Sequence, residues 1–437
     1  MKAPALAIVA VAMVMGIAVT RAQQRPVSAP PRIQPLLGVG IPPAASAATG
    51  SSDAFFDDTT LQEIRLSMNA RDWQTLKDNY LDNTYYPTNF TWRDQTVRNV
   101  GIRSRGTGSR SGVKPGLRVD FDRYTSSLRF LGLKSFVLRN NTQDPTNMHE
   151  RVSMLLFKRL GAPAPREAHT RMYINDVYAG LFTIVESIDK EFLARTFNED
   201  SGYLYKYDYP VNGQPYYFED KGSDPARYVP LPFKPETHET DSRPEFVAQW
   251  IQAINSASDA AFKSVVGEYL DLSQFIRHVA VEVFVGDYDG FIGNYGTNNF
   301  YLYRFDNQKR FNFILWDKSE AFQAGPTSSI FHNITDVGDA QKNRLLTRVL
   351  SFNDLYNQFL DVLVQCARSA AEPSATDARG WMEREVEREY NQIHAAALAD
   401  TEKPYSNDTF EQAVGAFMDF AKRRSDLVTA EANGNRH

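Results

Sequence analysis

The chain has 437 residues, of which 42% are hydrophobic, 12% aromatic and 23% charged, a composition typical of a globular protein and not of a disordered, collagen-like or coiled-coil one. Its net charge of −5 provides no overall positive field, so we expect no nucleic-acid partner. A single cysteine, Cys366, excludes an internal disulfide, and the seven histidines lack the HExxH and His-x-His spacings of zinc sites.

Residues 1–22 are typical of a secretory signal peptide. Lys2 provides a positive charge, and the apolar run that ends at Val19 is shorter than the roughly 20 residues that span a bilayer. Small residues favour cleavage after Ala22, although an uncleaved N-terminal anchor fits the same run. Residues 23–53, rich in Pro, Ala and Ser, predict a disordered tether. We therefore expect a secreted, periplasmic or cell-surface protein with no transmembrane anchor in its mature form.

The first half of the folded chain, residues 54–190, is predicted to be rich in strands. Alternating apolar residues predict a first strand, after which Asn69 can cap a short helix. Further strand-like runs are bounded by Gly, Asn or Asp, and the turn at residues 175–176 predicts a hairpin. One long helix, opened by Asp144 or Thr146, interrupts the strands.

The second half, residues 191–430, is predicted to be mainly helical. It begins with a Tyr-rich segment, residues 202–243, which shows no clear period and predicts a long irregular insertion. A strand pair joined by a turn at residues 306–308 interrupts the later helices. Apolar residues at helical spacing predict these helices at 244–256, 258–268, 272–284 and, in several pieces, from 340 to about 430. The change from strands to helices predicts an α+β protein with two lobes.

A glycine-rich loop at residues 106–112 is the first candidate site. Gly106 and Gly108 allow backbone N–H groups to approach phosphate oxygens. The loop matches neither the Walker motif nor the Rossmann motif, so a plain hairpin loop is the alternative. The cations that surround it in sequence would suit an anionic ligand, and they are Arg103, Arg105, Arg110, Lys114 and Arg118.

Two acidic segments later in the chain are further candidates. Asp289 and Asn294 are five residues apart, the offset between the base and the metal-binding amide of a kinase catalytic loop. Asp317 ends an apolar strand, a place where phosphoryl-transfer enzymes hold Mg²⁺. Each residue alone fits a turn or a cap equally well. With the glycine-rich loop, a helix that bears Glu150 and a strand that ends at Glu186, however, they follow the order of parts in a protein kinase.

These residues together resemble the spore-coat protein H (CotH) kinase-like family of secreted, atypical protein kinases. The resemblance runs from about residue 55 to residue 427, and its best segments are 100–106, 113–121, 175–181 with 185–186, 299–303 and 315–317. It implies a two-lobed kinase-like fold, with a β-rich N-lobe that contains one long helix and a mainly helical C-lobe. It also implies that the protein binds ATP with Mg²⁺ or Mn²⁺ and transfers the γ-phosphoryl group to Ser or Thr of a secreted or surface protein. We expect a monomer.

The resemblance implies a nucleotide site in the first half of the chain. Lys114, or its rival Arg118, would contact the α- and β-phosphates beside Gly106 and Gly108. Glu150 would pair with that cation, as the helix Glu of kinases pairs with the strand Lys. Glu186 would lie near the adenine, or have a structural role.

The resemblance places the catalytic and metal-binding residues in the second half. Asp289 would accept or orient the proton of the substrate hydroxyl, with Asn294 beside it as the less secure member of the pair. The asparagine that is conspicuous in the family corresponds to Asn298 or Asn299. Asp317 would bind Mg²⁺, and Asn299 is the second predicted metal ligand.

The chain departs from the family pattern at its metal site. The family usually has Trp-Asp-x-Asp, but here Ser319 replaces the second acid, with Glu320 beside it, and Lys318 adds a positive charge. This departure favours, as an alternative, a non-catalytic surface-binding protein that keeps the fold. A third alternative is a hydrolase that uses Asp287 and Asp289 as an acid–base pair.

Overall fold

The computed structural model describes residues 51–210 and 213–436. All of them belong to one unit of the chain, Ala45–His437. The predicted signal peptide, residues 1–22, and nearly all of the predicted tether, residues 23–53, lie outside the described residues. Within the described part, no helix is both long and apolar enough to cross a membrane.

Strands predominate in the first half, and helices predominate in the second. The strands are β1 (Gln62–Met68), β2 (Tyr86–Trp92), β3 (Gln95–Ser104), β4 (Leu117–Asp120), β5 (Ser135–Arg139), β6 (Glu167–Ile174), β7 (Val177–Glu186), β8 (Tyr203–Tyr207), β9 (Phe233–Pro235), β10 (Phe300–Arg304) and β11 (Phe311–Leu315). The helices are α1 (Ala70–Asp78), α2 (His149–Arg159), α3 (Lys190–Phe197), α4 (Pro244–Ser256), α5 (Asp259–Gly267), α6 (Leu272–Val285), α7 (Arg344–Leu350), α8 (Asn353–Ala370), α9 (Trp381–Ala399) and α10 (Asn407–Gly434).

Seven strands form a closed sheet in the order β1-β2-β3-β4-β5-β7-β6. Neighbouring strands are antiparallel, except that β1 and β6 run parallel and close the sheet. Its interior is packed with aromatic rings whose centroids lie 4.9–6.1 Å apart, mostly edge to face, which is the favoured contact of such rings. These rings belong to Phe55, Phe90, Phe121, Phe130 and Phe136. The strands predicted in this half are present in the structure, whereas their closure into one sheet was not predicted.

Local signals in this half account for its turns and caps. The side chain of Asn69 accepts a hydrogen bond from the first turn of α1 and caps it, as predicted. Residues 175–176 both have positive φ, as a two-residue hairpin turn requires. The long helix α2 begins later than predicted, at His149, because the Asp144 carboxylate accepts hydrogen bonds from the backbone of Thr146 and His149 and builds a turn that precedes the helix.

A second sheet, with the order β11-β10-β8-β9, follows the closed one. Two of its strands, β8 and β9, lie within residues 202–243, so the prediction of a long irregular segment holds for most of the described residues there and is wrong at these two short strands. Tyr205 and Tyr207 are buried in β8, and Tyr216 and Tyr228 are buried in the loop between β8 and β9. The tyrosines of this segment are thus part of a core, where their rings supply apolar surface.

Both faces of the second sheet are buried. Side chains that alternate along a strand point to opposite faces. On one face, Leu302 and Phe313 pack in the largest apolar core, together with α4 and α6. On the other face, Tyr301 packs against Val137 of β5 and Val185 of β7 in the closed sheet. The ends of β10 and β11 are consequently held next to the end of β5.

Helices pack around the second sheet and include α2 from the first half. Val152 and Leu156 of α2 share the largest core with residues of α6, α8 and α10. The α+β class is confirmed by the two sheets and the helices around them. The division into two lobes near residue 190 stays a prediction.

Candidate active site

Asp317 lies two residues beyond the end of β11, at the edge of the sheet where the antiparallel strand β10 begins. Asn299 precedes β10, and its carbonyl oxygen accepts a hydrogen bond of 3.1 Å from the backbone N–H of Trp316. Asn299 and Asp317 have φ angles of 58° and 54°, in the left-handed region that Asn and Asp tolerate better than most residues. The backbone thus turns sharply at both residues at this edge of the sheet, which brings the two predicted metal ligands side by side.

Asp289 lies in the loop that follows α6 and is held by two amides. Asn298 Nδ2 donates to Asp289 Oδ1 at 2.9 Å, and Asn299 Nδ2 donates to Asp289 Oδ2 at 2.9 Å. Burial outweighs the hydrogen bond from Asn298 and raises the pKa of Asp289 to about 6, and the nearby charges of Asp317 and Asp287 add to the rise. The structure therefore brings Asp289, Asn299 and Asp317 together, as the sequence predicted.

Arg139, the last residue of β5, joins Asp317 to the helix α2. Its Nη1 lies 2.8 Å from Asp317 Oδ2, and its Nε lies 2.5 Å from Glu150 Oε2. Burial by itself would raise the pKa of Asp317, but the charge and the hydrogen bond of Arg139 outweigh it and lower that pKa. The opposite holds for Glu150, because its burial outweighs the charge of Arg139 and raises its pKa well above the usual range.

The predicted pairing of Lys114 with Glu150 is wrong. Lys114 Nζ is buried, donates to Asp400 Oδ2 at 2.7 Å and to the carbonyl oxygen of Leu181 at 2.8 Å, and forms no ion pair with Glu150. Arg139 is the strand cation that pairs with Glu150. The signal that could have found Arg139 is the same as for Asp317, since it also ends an apolar strand.

The glycine-rich loop lies beside the carboxylates. Ser109 lines a small cavity together with Gly116, Arg139 and Ser319. Gly106, at a φ of 118°, begins the loop, and its carbonyl oxygen accepts a hydrogen bond from Arg110. This hydrogen bond links the two ends of the first turn of the loop at the edge of the site.

Two more polar side chains extend the site around this loop. Gln143 lies next to Gly108 and donates a hydrogen bond of 2.8 Å to Glu320 Oε1. Burial and the charges of Asp289, Asp287 and Asp317 raise the pKa of Glu320 to about 7. Neither Gln143 nor a role for Glu320 was predicted.

Arg105 and Arg118 differ in their availability for an anion. Arg105 lines the same cavity as Arg139, lies 5.6 Å from the ring centroid of Trp316, and forms no salt bridge with any described residue. Arg118 donates to Ser135 Oγ at 2.9 Å and is not among the residues that line the cavity. Arg105 is therefore the better-placed cation of the two.

Two predicted residues do not offer free groups to the site. Glu186 is buried, and its two carboxylate oxygens accept hydrogen bonds from both Arg166 and Arg195, so its side chain is structural. Asn294 is exposed, and its Oδ1 accepts from Asn333 and contacts His332 Nε2 at 3.0 Å. The role of an amide beside Asp289 belongs to Asn298 and Asn299 instead, because Asn294 turns toward another loop.

Lys318 does not add charge to the metal site. Its Nζ is fully buried and lies 2.7 Å from Glu282 Oε1 and 2.9 Å from Asp287 Oδ2. Asp287 Oδ1 in turn accepts a hydrogen bond from the backbone N–H of Asp289. Asp287 is bound to the ammonium group of Lys318 in the interior. The structure therefore contradicts the hydrolase hypothesis, which needs Asp287 as a free acid or base.

The donor set fits a magnesium ion that is brought by a nucleotide. In the described ranges, no three His, Cys, Asp or Glu side chains lie close enough to hold a metal ion on their own. Mg²⁺ commonly binds one or two carboxylates together with substrate phosphates and water. Asp317 and the Asn299 amide oxygen are the groups that would hold it here.

Comparison with known proteins assigns the chain to a family. Residues 102–428, more than half of the chain, match the model of the CotH kinase protein family. The inner spore coat protein H of Bacillus subtilis is 23% identical over 379 residues, which cover 85% of this chain and 98% of that protein. Spore coat protein homolog 1 of Rhizopus delemar is 24% identical over 257 residues, which cover 55% of this chain and 39% of that protein.

Solved structures resemble the chain only distantly. The Helicobacter pylori proinflammatory kinase CtkA aligns over 73% of this chain and 94% of its own, at 11% identity and a TM-score of 0.29. The HipA, HipB and operator DNA complex of Shewanella oneidensis aligns over 86% of this chain and 74% of its own matched chain, at 11% identity and a TM-score of 0.36. Scores this low do not establish a common fold, and the assignment rests on the family model. The chain belongs to the CotH kinase protein family.

Proposed function

We propose that the protein is a kinase that transfers the γ-phosphoryl group of ATP to a Ser or Thr hydroxyl of a protein acceptor. The observation that supports this most is the proximity of Asp289 and Asp317 at one end of the second sheet, with Arg139 between Asp317 and Glu150. In the transfer, the bond from Pγ to the bridging oxygen breaks and ADP leaves. The acceptor oxygen bonds to Pγ, and its proton passes to Asp289.

Asp289 is suited to receive that proton. With a pKa of about 6, its carboxylate is mostly ionised at pH 7 and still basic enough to take a proton as the new bond forms. The amides of Asn298 and Asn299 fix the orientation of the carboxylate. Because the Asp289 carboxylate is already fixed, the proton acceptor needs no further alignment with the substrate hydroxyl. This lowers the entropic part of the activation barrier.

Cations around the cavity would bind the phosphates. Arg105 has no salt-bridge partner among the described residues, and Arg139 lines the same cavity. The backbone of the glycine-rich loop adds N–H donors beside them. Mg²⁺ bound to Asp317 would neutralise charge on the β- and γ-phosphates.

The relatives support a site of action outside the cytoplasm. Both curated relatives are described as spore coat proteins or homologues of them. With the predicted signal peptide, this supports export of the present chain to a cell surface or a coat. A surface or coat protein rich in Ser and Thr is the acceptor class that we propose.

The test is transfer of label from [γ-³²P]ATP to a Ser-rich protein by the purified full chain, with Mg²⁺ or Mn²⁺. We expect Asp289→Asn and Asp317→Ala to lower the transfer rate at least a hundredfold. Asp306→Asn changes an exposed aspartate in the β10–β11 turn and is the matched control. Equal labelling by wild type and both active-site variants would refute the proposal.

A non-catalytic binding protein is the second candidate function. Asp317 Oδ2 is already bound by Arg139, and Ser319 stands where the family usually has the second acid, so the metal site is less negative than a family site with both acids. Nucleotide binding by calorimetry with no transfer to any acceptor would favour this candidate.

A further inference from the structure

A second cavity, of about 280 Å³, lies apart from the candidate active site, and we call it the hairpin cavity. One wall is a face of α1 formed by Ala70, Trp73 and Lys77, which are spaced three and four residues apart. The facing wall is the β6–β7 hairpin, residues 172–182, and the third is the segment 113–115 that follows the glycine-rich loop. No predicted site residue except Lys114 lines this cavity.

Exposed apolar side chains surround its mouth. Val113 and Val177 both line the cavity, and they are 61% and 70% exposed. They are two of the few large hydrophobic residues that are exposed in the part of the chain that the structure describes. Apolar surface next to a cavity is typical of a binding site.

The interior of the hairpin cavity offers mainly apolar surface, and two residues of opposite charge, Lys77 and Glu402, also line it. Met172 and Phe182 line it as apolar residues. Lys114 also lines it, but its ammonium group is already bound to Asp400 and to the carbonyl oxygen of Leu181. An apolar cavity of about 150 Å³ in another protein binds benzene, and a larger one has room for more than one ring.

From these observations we infer that the hairpin cavity binds a small uncharged molecule of one or two aromatic rings, and that its occupancy changes the mobility of the glycine-rich loop. Charge argues against an anionic or a cationic ligand, because Lys114 is neutralised by Asp400 and the other two charged lining residues, Lys77 and Glu402, have opposite signs. The inference does not depend on the proposed phosphoryl transfer.

The link to the glycine-rich loop is a set of hydrogen bonds. Asn140 Nδ2 donates to the carbonyl oxygens of Ser109 and Lys114, at 2.8 Å each. The backbone N–H of Lys114 donates to Ser111 Oγ at 3.1 Å. A molecule that packs against Val113 and Lys114 therefore restrains the loop at residues 106–112 through these bonds.

The test titrates the full chain with N-phenyl-1-naphthylamine, an uncharged fluorescent probe. We expect a saturable rise in fluorescence, and at least tenfold weaker binding by Val177→Asp, which places a charge at the mouth. Leu81→Asp is the control, because Leu81 is 66% exposed and does not line the cavity. Ala70→Trp fills the mouth from α1 and should weaken binding as well.

Several outcomes overturn the inference. No saturable signal, or equal affinities of Val177→Asp and Leu81→Asp, would remove the binding site. An apparent Kd that rises with protein concentration would show that a second copy of the chain covers the cavity instead.

Hydrogen exchange tests the link to the loop. Saturating probe should slow amide exchange in residues 106–116 at least threefold and leave α8 unchanged. Unchanged exchange in residues 106–116, or equal slowing in both segments, would contradict the link.

Discussion

Two neighbouring aspartates are tuned in opposite directions by their contacts. Burial and the charges of Asp317 and Asp287 raise the pKa of Asp289 to about 6. The pKa of Asp317 is lowered instead, because Arg139 outweighs the effect of burial. A proton acceptor and a permanent anion therefore lie side by side, which is the division of roles that phosphoryl transfer requires.

Transfer should depend on pH through Asp289. Its carboxylate must be ionised to accept a proton, so activity is lost as pH falls below about 6 and is retained above it. We expect kcat/KM to rise about tenfold for each pH unit from pH 4.5 and to level off near pH 6–7. Circular dichroism over the same range is the control for unfolding. Glu320→Gln should keep the inflection near pH 6, and a profile that is flat from pH 5 to 7 would contradict the role of Asp289.

We expect Lys114 to stabilise the fold and Arg105 to bind the phosphates, the role that the resemblance implies for Lys114. Lys114→Met leaves the buried Asp400 without its cation, so we expect the free energy of unfolding to fall by about 3–5 kcal/mol. Arg105→Met breaks no salt bridge among described residues and should weaken ATP binding at least tenfold with little loss of stability. Urea unfolding and calorimetry measure the two effects. Normal stability with lost ATP binding in Lys114→Met would restore the original assignment.

At the scale of elements, one buried lysine connects two parts of the site. Lys318 follows Asp317 beyond β11, and its ammonium group binds Glu282 of α6 and Asp287 of the next loop. Those carboxylates accept hydrogen bonds from the backbone of Phe291 and Asp289. Burial and the charge of Lys318 lower the pKa of His278 to about 3, so this neighbour stays neutral. The loop after α6 and the end of β11 are thus held as one unit.

Removing the Lys318 ammonium group should destabilise the loop after α6 and the end of β11 together. In Lys318→Met two buried carboxylates lose their partner, and we expect the free energy of unfolding to fall by about 3–5 kcal/mol. Lys309→Met removes an exposed ion pair with Glu268 and should change stability by less than about 1 kcal/mol. Adding Glu282→Gln and Asp287→Asn to Lys318→Met should restore part of the loss. Equal stability of the two lysine variants in urea would show that the buried network contributes nothing.

For the whole molecule, short-range signals carried the predictions that succeeded. Asp317 follows an apolar strand and Asp289 follows an apolar helix, so both could be found from neighbouring residues. The partner of Lys114 lies 286 residues away, at Asp400, and no local pattern points to it. Arg139 ends an apolar strand and could have been found from that, but its contact with Asp317 crosses between two sheets and no local pattern points to it.

Contacts between distant parts of the chain also limited what could be predicted of the fold. Alternation and turn residues predicted individual strands, but the neighbours β5 and β7 are separated in the chain by α2 and β6. The strand β8 was missed although its tyrosines, Tyr203, Tyr205 and Tyr207, alternate along it, and β9 is only three residues long. Burial of both faces of the second sheet replaces the simple alternation that marks a half-exposed strand.

Calorimetric titration of Mg²⁺·ATP into the full chain tests most directly whether Asp289 and Asp317 belong to one nucleotide site. We predict binding by the wild type, at least tenfold weaker binding by Asp317→Ala, and unchanged binding by the control Asp306→Ala. Unchanged affinity of Asp317→Ala, or no heat of binding by the folded wild type, would contradict the nucleotide site on which the proposed transfer depends.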